Sequence, residues 1–147
     1  MNSCARRLYL MITIFAVLGI AVSSVSLDHH FRKSKTSFCD FGQSFNCDIV
    51  NRSEYSTVAG VPVALMGILG YAALMAFATF YRAKAETPLI LAAGSLAGLG
   101  FALYLTYVEK FILATWCILC LSSLTLIFII SVLSLLLVRQ LKQPEAA

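Results

Sequence analysis

The sequence predicts an all-α membrane protein: a bundle of four transmembrane helices with one polar loop between the first and the second. Two observations carry this. Of the 147 residues, 60% are hydrophobic and only 12% charged, against about 25% charged in a soluble domain. The charges, moreover, are gathered at the ends of four apolar runs, each near the roughly 20 residues that cross a bilayer core as a helix. The net charge of +4 is therefore that of membrane-interface anchors, and nucleic acid is excluded as a partner.

The first span is placed at 8–27, directly after Arg6 and Arg7. A cleaved signal peptide is the competing reading, since basic, apolar and small-residue regions follow in that order. The apolar run is long for that purpose, and its loss would leave three spans. Residues 28–61 form the sizeable polar segment, too short for a core of its own, with Ile49, Val50 and Val58 suggesting helical turns laid on the lipid surface. The second span, 62–81, opens on Pro62, and the third, 88–108, on Pro88. Proline costs nothing at a helix start, where its missing N–H would have no partner. Gly94-x-x-x-Gly98 in the third span offers a flat face for close helix packing. Glu109 and Lys110 mark a brief exit before the fourth span, 114–138, which ends at Arg139. The whole of 1–147 reads as a single membrane domain.

Four spans put both termini on one side. Arg6, Arg7, Arg82, Lys84, Arg139 and Lys142 lie on that side, and Arg32, Lys33, Lys35, Arg52 and Lys110 on the other. The former flank the spans within short segments, which by the positive-inside rule makes the termini cytoplasmic. Cysteine chemistry agrees: this orientation carries Cys39, Cys47, Cys117 and Cys120 to the outer face, where disulfides persist.

Trp116-Cys117-Ile118-Leu119-Cys120 carries the sharpest signal. No charged residue occurs between Lys110 and Arg139, so this C-x-x-C stands at the mouth of the fourth span. Spacing i, i+3 puts both sulfurs on one helix face, and the positive end of a helix dipole favours a thiolate at such a position. A dithiol there can exchange electrons with a protein on one side and a lipid-soluble molecule on the other. Cys39 and Cys47 supply a second pair on the same face, on a loop that water-soluble partners reach, and disulfide exchange runs from pair to pair through a mixed disulfide. The blander readings are a fixed structural disulfide for Cys39 and Cys47, a zinc site from both pairs with His29 or His30, and, for the isolated Cys4, a small apolar filler. Zinc sites favour tighter pairs than Cys39 and Cys47 make.

These residues resemble the vitamin K epoxide reductase family in its bacterial branch. The resemblance covers nearly the whole chain and rests on Cys39-Asp40-x6-Cys47, on Ser53 six residues later, on the Gly60-Val61-Pro62 approach to the second span, and on Trp116-Cys117-x-x-Cys120. It implies a four-helix membrane bundle enclosing a quinone, ubiquinone or menaquinone, beside the C-x-x-C, with no metal. It further implies that Cys117 and Cys120 are the active-site pair with Cys120 nearest the quinone, that Cys39 and Cys47 are the shuttle pair with Cys47 pairing transiently with Cys117, and that Ser53 is a hydrogen-bond partner beside the site. From the residues alone, Ser53 could as well be a helix cap or a surface hydroxyl, and Asn51-Arg52-Ser53 a glycosylation acceptor.

Two departures bear on the substrate. Animal members that reduce vitamin K epoxide carry a tyrosine four residues after the second active-site cysteine, where this sequence has Leu124. They also carry a longer segment after the loop serine, with an asparagine that has no counterpart here. The resemblance therefore implies a plain quinone as acceptor. Many bacterial members carry a fused thioredoxin-like domain; with the chain ending at Ala147, the expected thiol partner is a separate periplasmic thioredoxin-fold protein, reoxidised at the expense of the membrane quinone pool. The alternative from another class is a soft-metal transporter relaying mercuric or cuprous ions. It calls for thiols on both membrane faces, and only Cys4 lies on the inner one.

Overall fold

The computed structural model describes residues 3–31, 42 and 44–141. Helix α1 spans Ser3–Phe31, further at both ends than the apolar stretch Leu8 to Leu27, because the flanking arginines, Asp28 and the histidines include no proline or glycine to stop it. A five-residue helix, α2, covers Cys47–Asn51. After a 3-10 turn at Glu54–Ser56 come two short antiparallel strands, β1 (Thr57–Val58) and β2 (Val61–Pro62). Ala59 and Gly60 between them have φ of 52° and 81°, the doubly positive turn that matches the twist of a two-residue hairpin. Val58 thus belongs to a hairpin, while Ile49 and Val50 do lie in a helical turn.

Helix α3 runs Val63–Phe80 with Pro62 as its cap, and α4 runs Thr87–Val108 with Pro88 in its first turn. A π-helical segment, Glu109–Leu113, continues α4. The last helix, α5, covers Ile118–Leu141. Among the described residues, four helices are long and apolar enough to cross a membrane, so the protein is a helical membrane bundle.

Its core is Ile12 and Ala16 from α1, Tyr71 from α3, Leu91 from α4, and Ile130 and Leu137 from α5, all buried. Outside, Leu10, Leu69, Leu89 and Phe128 are more than half exposed, a continuous apolar surface that suits lipid and not water. Hydroxyls within the spans bond back to their own helix, as Thr13 donates to the Tyr9 carbonyl at 2.9 Å and Thr125 to that of Leu121 at 3.0 Å, which a medium without water favours. The buried Ser134 Oγ is an exception, with no hydrogen-bond partner among the described residues. Glycine sets the closest helix approach. A Cβ on Gly19 would stand 2.5 Å from the Tyr71 ring, whose hydroxyl reaches across to donate to the Ser123 carbonyl at 2.9 Å. Gly94 and Gly98 lie against Leu74 and Ile127, on the packing face that their spacing indicates. Gln140 Nε2 donates to Cys4 Sγ at 3.0 Å, so the start of α1 and the end of α5 meet at one end of the bundle. Cys4 is exposed there and fills no core.

Candidate active site

The C-x-x-C is built by the chain's passage from α4 to α5. The π segment ends at Ala114, whose φ of 50° turns the backbone, and the Thr115 amide closes onto the Glu109 carbonyl at 3.1 Å. Trp116 then runs extended and pairs with the loop: its N–H donates to the Ser44 carbonyl at 2.9 Å, and its carbonyl accepts from Asn46 N–H at 3.1 Å, a parallel bridge with Phe45. The Cys117 carbonyl receives the Leu121 amide at 3.0 Å. Cys117 is thus the residue before α5, and Cys120 lies in its first turn.

The Trp116 pairing carries the loop cysteine to the site. Asn46 caps α2, its side-chain oxygen accepting from the amides of Asp48 at 3.0 Å and Ile49 at 3.2 Å, a side-chain role typical of asparagine at that position. Ser26 of α1 donates to Asn51 Oδ1 at 2.8 Å, His30 Nδ1 donates to the Asn51 carbonyl, and His29 Nδ1 stands 3.6 Å from Asp48 Oδ1. So held, α2 buries Cys47 against Cys117, with Val50, Leu119 and Cys120 around them. Cys47 is disulfide-bonded, whereas Cys117 and Cys120 are free thiols. Cys39 lies outside the described residues.

Behind the thiols a cavity of about 460 Å³ opens between the helices, lined by Tyr71, Leu74 and Phe77 of α3, Gly98 and Phe101 of α4, Cys120, Ser123 and Ile127 of α5, and Asn51, Ser53 and Tyr55 of the loop. It is largely apolar with a few convergent polar groups, in the size range of small-molecule sites. Cys120 lines this cavity and Cys117 does not. Ser53 lines it too, with its hydroxyl donating to the Val50 carbonyl at 2.8 Å. Among the described residues, no three His, Cys, Asp or Glu side chains gather as metal ligands.

Two polar residues of the site escape a reading of the sequence. Glu109 passes there for a boundary charge, yet it is 1% exposed and its Oε2 accepts the Cys117 N–H at 3.1 Å. Asn51 passes for a surface residue, yet it is 6% exposed and faces the cavity. Each leaves one buried polar atom, Glu109 Oε1 and Asn51 Nδ2, with no hydrogen-bond partner among the described residues. For Asn51 a signal was present, since it stands four residues after Cys47 and so on the same face of a helix. For Glu109 none was, because its burial depends on a π turn that no residue pattern marks.

No curated protein matches the chain. The sequence model of the vitamin K epoxide reductase family matches residues 10–135, from the early turns of α1 to the late turns of α5. That stretch takes in both cysteine pairs, and by this match the chain belongs to the vitamin K epoxide reductase family, whose members are membrane thiol–disulfide oxidoreductases.

Proposed function

We propose that this protein is a quinone-dependent, disulfide-forming oxidoreductase that reoxidises a periplasmic thioredoxin-fold thiol oxidase. Electrons enter at Cys39 and Cys47, pass to Cys117 and Cys120, and leave to a quinone of the membrane pool. The observation that carries this is the division of surroundings between neighbouring thiols: Cys117 is buried against Cys47, while Cys120 opens onto the apolar cavity.

Each half-reaction follows from that placement. A Cys117 thiolate attacking the Cys47 disulfide would form the mixed disulfide and release the other loop sulfur. In the forward, oxidising direction Cys47 as thiolate attacks a Cys117–Cys120 disulfide, and the active-site pair ends as a dithiol. The cavity suits a quinone in size and lining, and the free Asn51 Nδ2–H is a donor of the kind a ring carbonyl accepts. A quinone, when bound, supplies the two-electron sink that restores the Cys117–Cys120 disulfide. Ser53 holds the end of α2 through the Val50 carbonyl and borders the same space. In energy terms, a strongly oxidising thiol oxidase near about −120 mV needs a sink at least as oxidising, and about 30 mV in a two-electron couple corresponds to about 1.4 kcal/mol. A membrane quinone is available at that face.

The protein sits in the bacterial cytoplasmic membrane with its active cysteines on the periplasmic side. A soft-metal transporter finds no support in the family match. Leu124 in place of the tyrosine of the animal epoxide reductases favours turnover of a simple quinone and not of vitamin K epoxide. The test is anaerobic mixing of the purified protein, loaded with ubiquinone or menaquinone, with a reduced thioredoxin-fold thiol oxidase. Hydroquinone should form in proportion to disulfide. Absence of quinone reduction, or efficient reduction of vitamin K epoxide, would overturn the assignment of the acceptor.

A further inference from the structure

Glu109 has an environment that structural duty alone does not account for. A buried carboxyl in a membrane protein is costly and is ordinarily fully bonded. Here one oxygen accepts the Cys117 amide, and the other, Oε1, has no hydrogen-bond partner among the described residues. The adjacent cation is engaged elsewhere: Lys110 Nζ lies over the Phe111 ring, 5.3 Å from its centre. The carboxyl interacts with the thiols of both Cys117 and Cys120, and it borders the cavity that Cys120 also lines. It is placed by a π-helical turn, a feature that recurs at functional sites.

We propose that Glu109 is a catalytic residue of the second half-reaction, carrying a proton from the Cys120 thiol to the oxygen of the acceptor in the cavity. The proposal rests on the quinone reading above and deepens it. Oxidation of the dithiol breaks two S–H bonds and forms one S–S bond, releasing two electrons and two protons. A quinone becoming a hydroquinone takes up both electrons and both protons, so the step balances with no other reactant. Protons cannot cross an apolar cavity unaided, and a group is needed that touches both the thiols and the cavity. Glu109 meets both conditions. Its bond to the Cys117 N–H fixes one oxygen, which leaves Oε1 to accept and to give.

The test compares three variants of the full chain in detergent, with dithiothreitol as electron donor and a decyl-chain ubiquinone as acceptor. Glu109→Gln keeps an acceptor for the Cys117 amide but carries no proton, so kcat should fall about a hundredfold, with the quinone KM changed by less than about threefold. Glu109→Asp keeps a carboxyl and should be the more active of the two. A purely structural acceptor predicts the reverse order, since Gln preserves the length of the side chain. Should the Gln variant not fold, Glu109→Ala decides: acetate should restore turnover, and acetamide, which accepts the amide but transfers no proton, should not. Near-wild-type turnover in the Gln variant, or equal rescue by the two additives, overturns the relay. Failure of the wild-type protein to reduce any quinone overturns the acceptor assignment itself.

Discussion

Between Cys117 and Cys120 the chain changes surroundings within one helical turn, from a buried contact with Cys47 to the lining of the cavity. Replacing Cys120 with alanine should abolish quinone reduction from every donor, and a Cys47–Cys117 mixed disulfide should accumulate, since the resolving thiol is gone. Replacing Cys39 should cripple electron entry from a protein thiol while sparing reduction by dithiothreitol, which reaches the active-site pair directly. Quinone reduction with each donor, with mapping of trapped disulfides, checks both; equal loss with both donors for the Cys39 variant would reject a two-pair relay. Asn51→Ala should raise the quinone KM about tenfold, as loss of one hydrogen bond of about 1.4 kcal/mol would. A titration of rate against quinone concentration reads this. The thiol spacing was plain in the sequence, because C-x-x-C at a span boundary has few other uses. Asn51 and Glu109 were not, because what sets them apart is burial beside a sulfur distant in the chain.

The helices were the most legible elements. A bilayer forces every backbone polar group into an internal bond, so apolar length and flanking charge suffice to find them. Their mutual approach was partly legible. Gly94-x-x-x-Gly98 marked a packing face, but the tightest approach is at Gly19, which stands alone in its sequence context and is paired with Tyr71 only by the fold. Gly19→Ala should therefore lower thermal stability in detergent by about 1–3 kcal/mol, because an added Cβ meets a fixed aromatic ring. Gly100→Ala, with nothing within 4 Å of the new Cβ, should be neutral or stabilising by up to about 1 kcal/mol. Thermal unfolding of the two variants side by side separates packing from helix propensity. The strand pair at Thr57–Val58 and Val61–Pro62 was missed because two residues are too few for any alternation to register.

At the scale of the molecule, the start of α1 and the end of α5 meet at Gln140 and Cys4, with the cysteine site built near the opposite end of α1, at His29 and His30. A periplasm-only reporter fused after Ala147 should stay silent; an active fusion would place the relay on the cytosolic face. The loop's attachment bears on turnover in another way. Trp116 grips it with two backbone hydrogen bonds, each worth about 1 kcal/mol net. A latch of about 2 kcal/mol leaves its moving part released for only a few per cent of the time, by about a factor of 30. On the proposed relay, the duty cycle is thereby weighted toward delivery of electrons inward, and access for a soluble partner becomes the scarce event, a ceiling on throughput written into the backbone of one tryptophan.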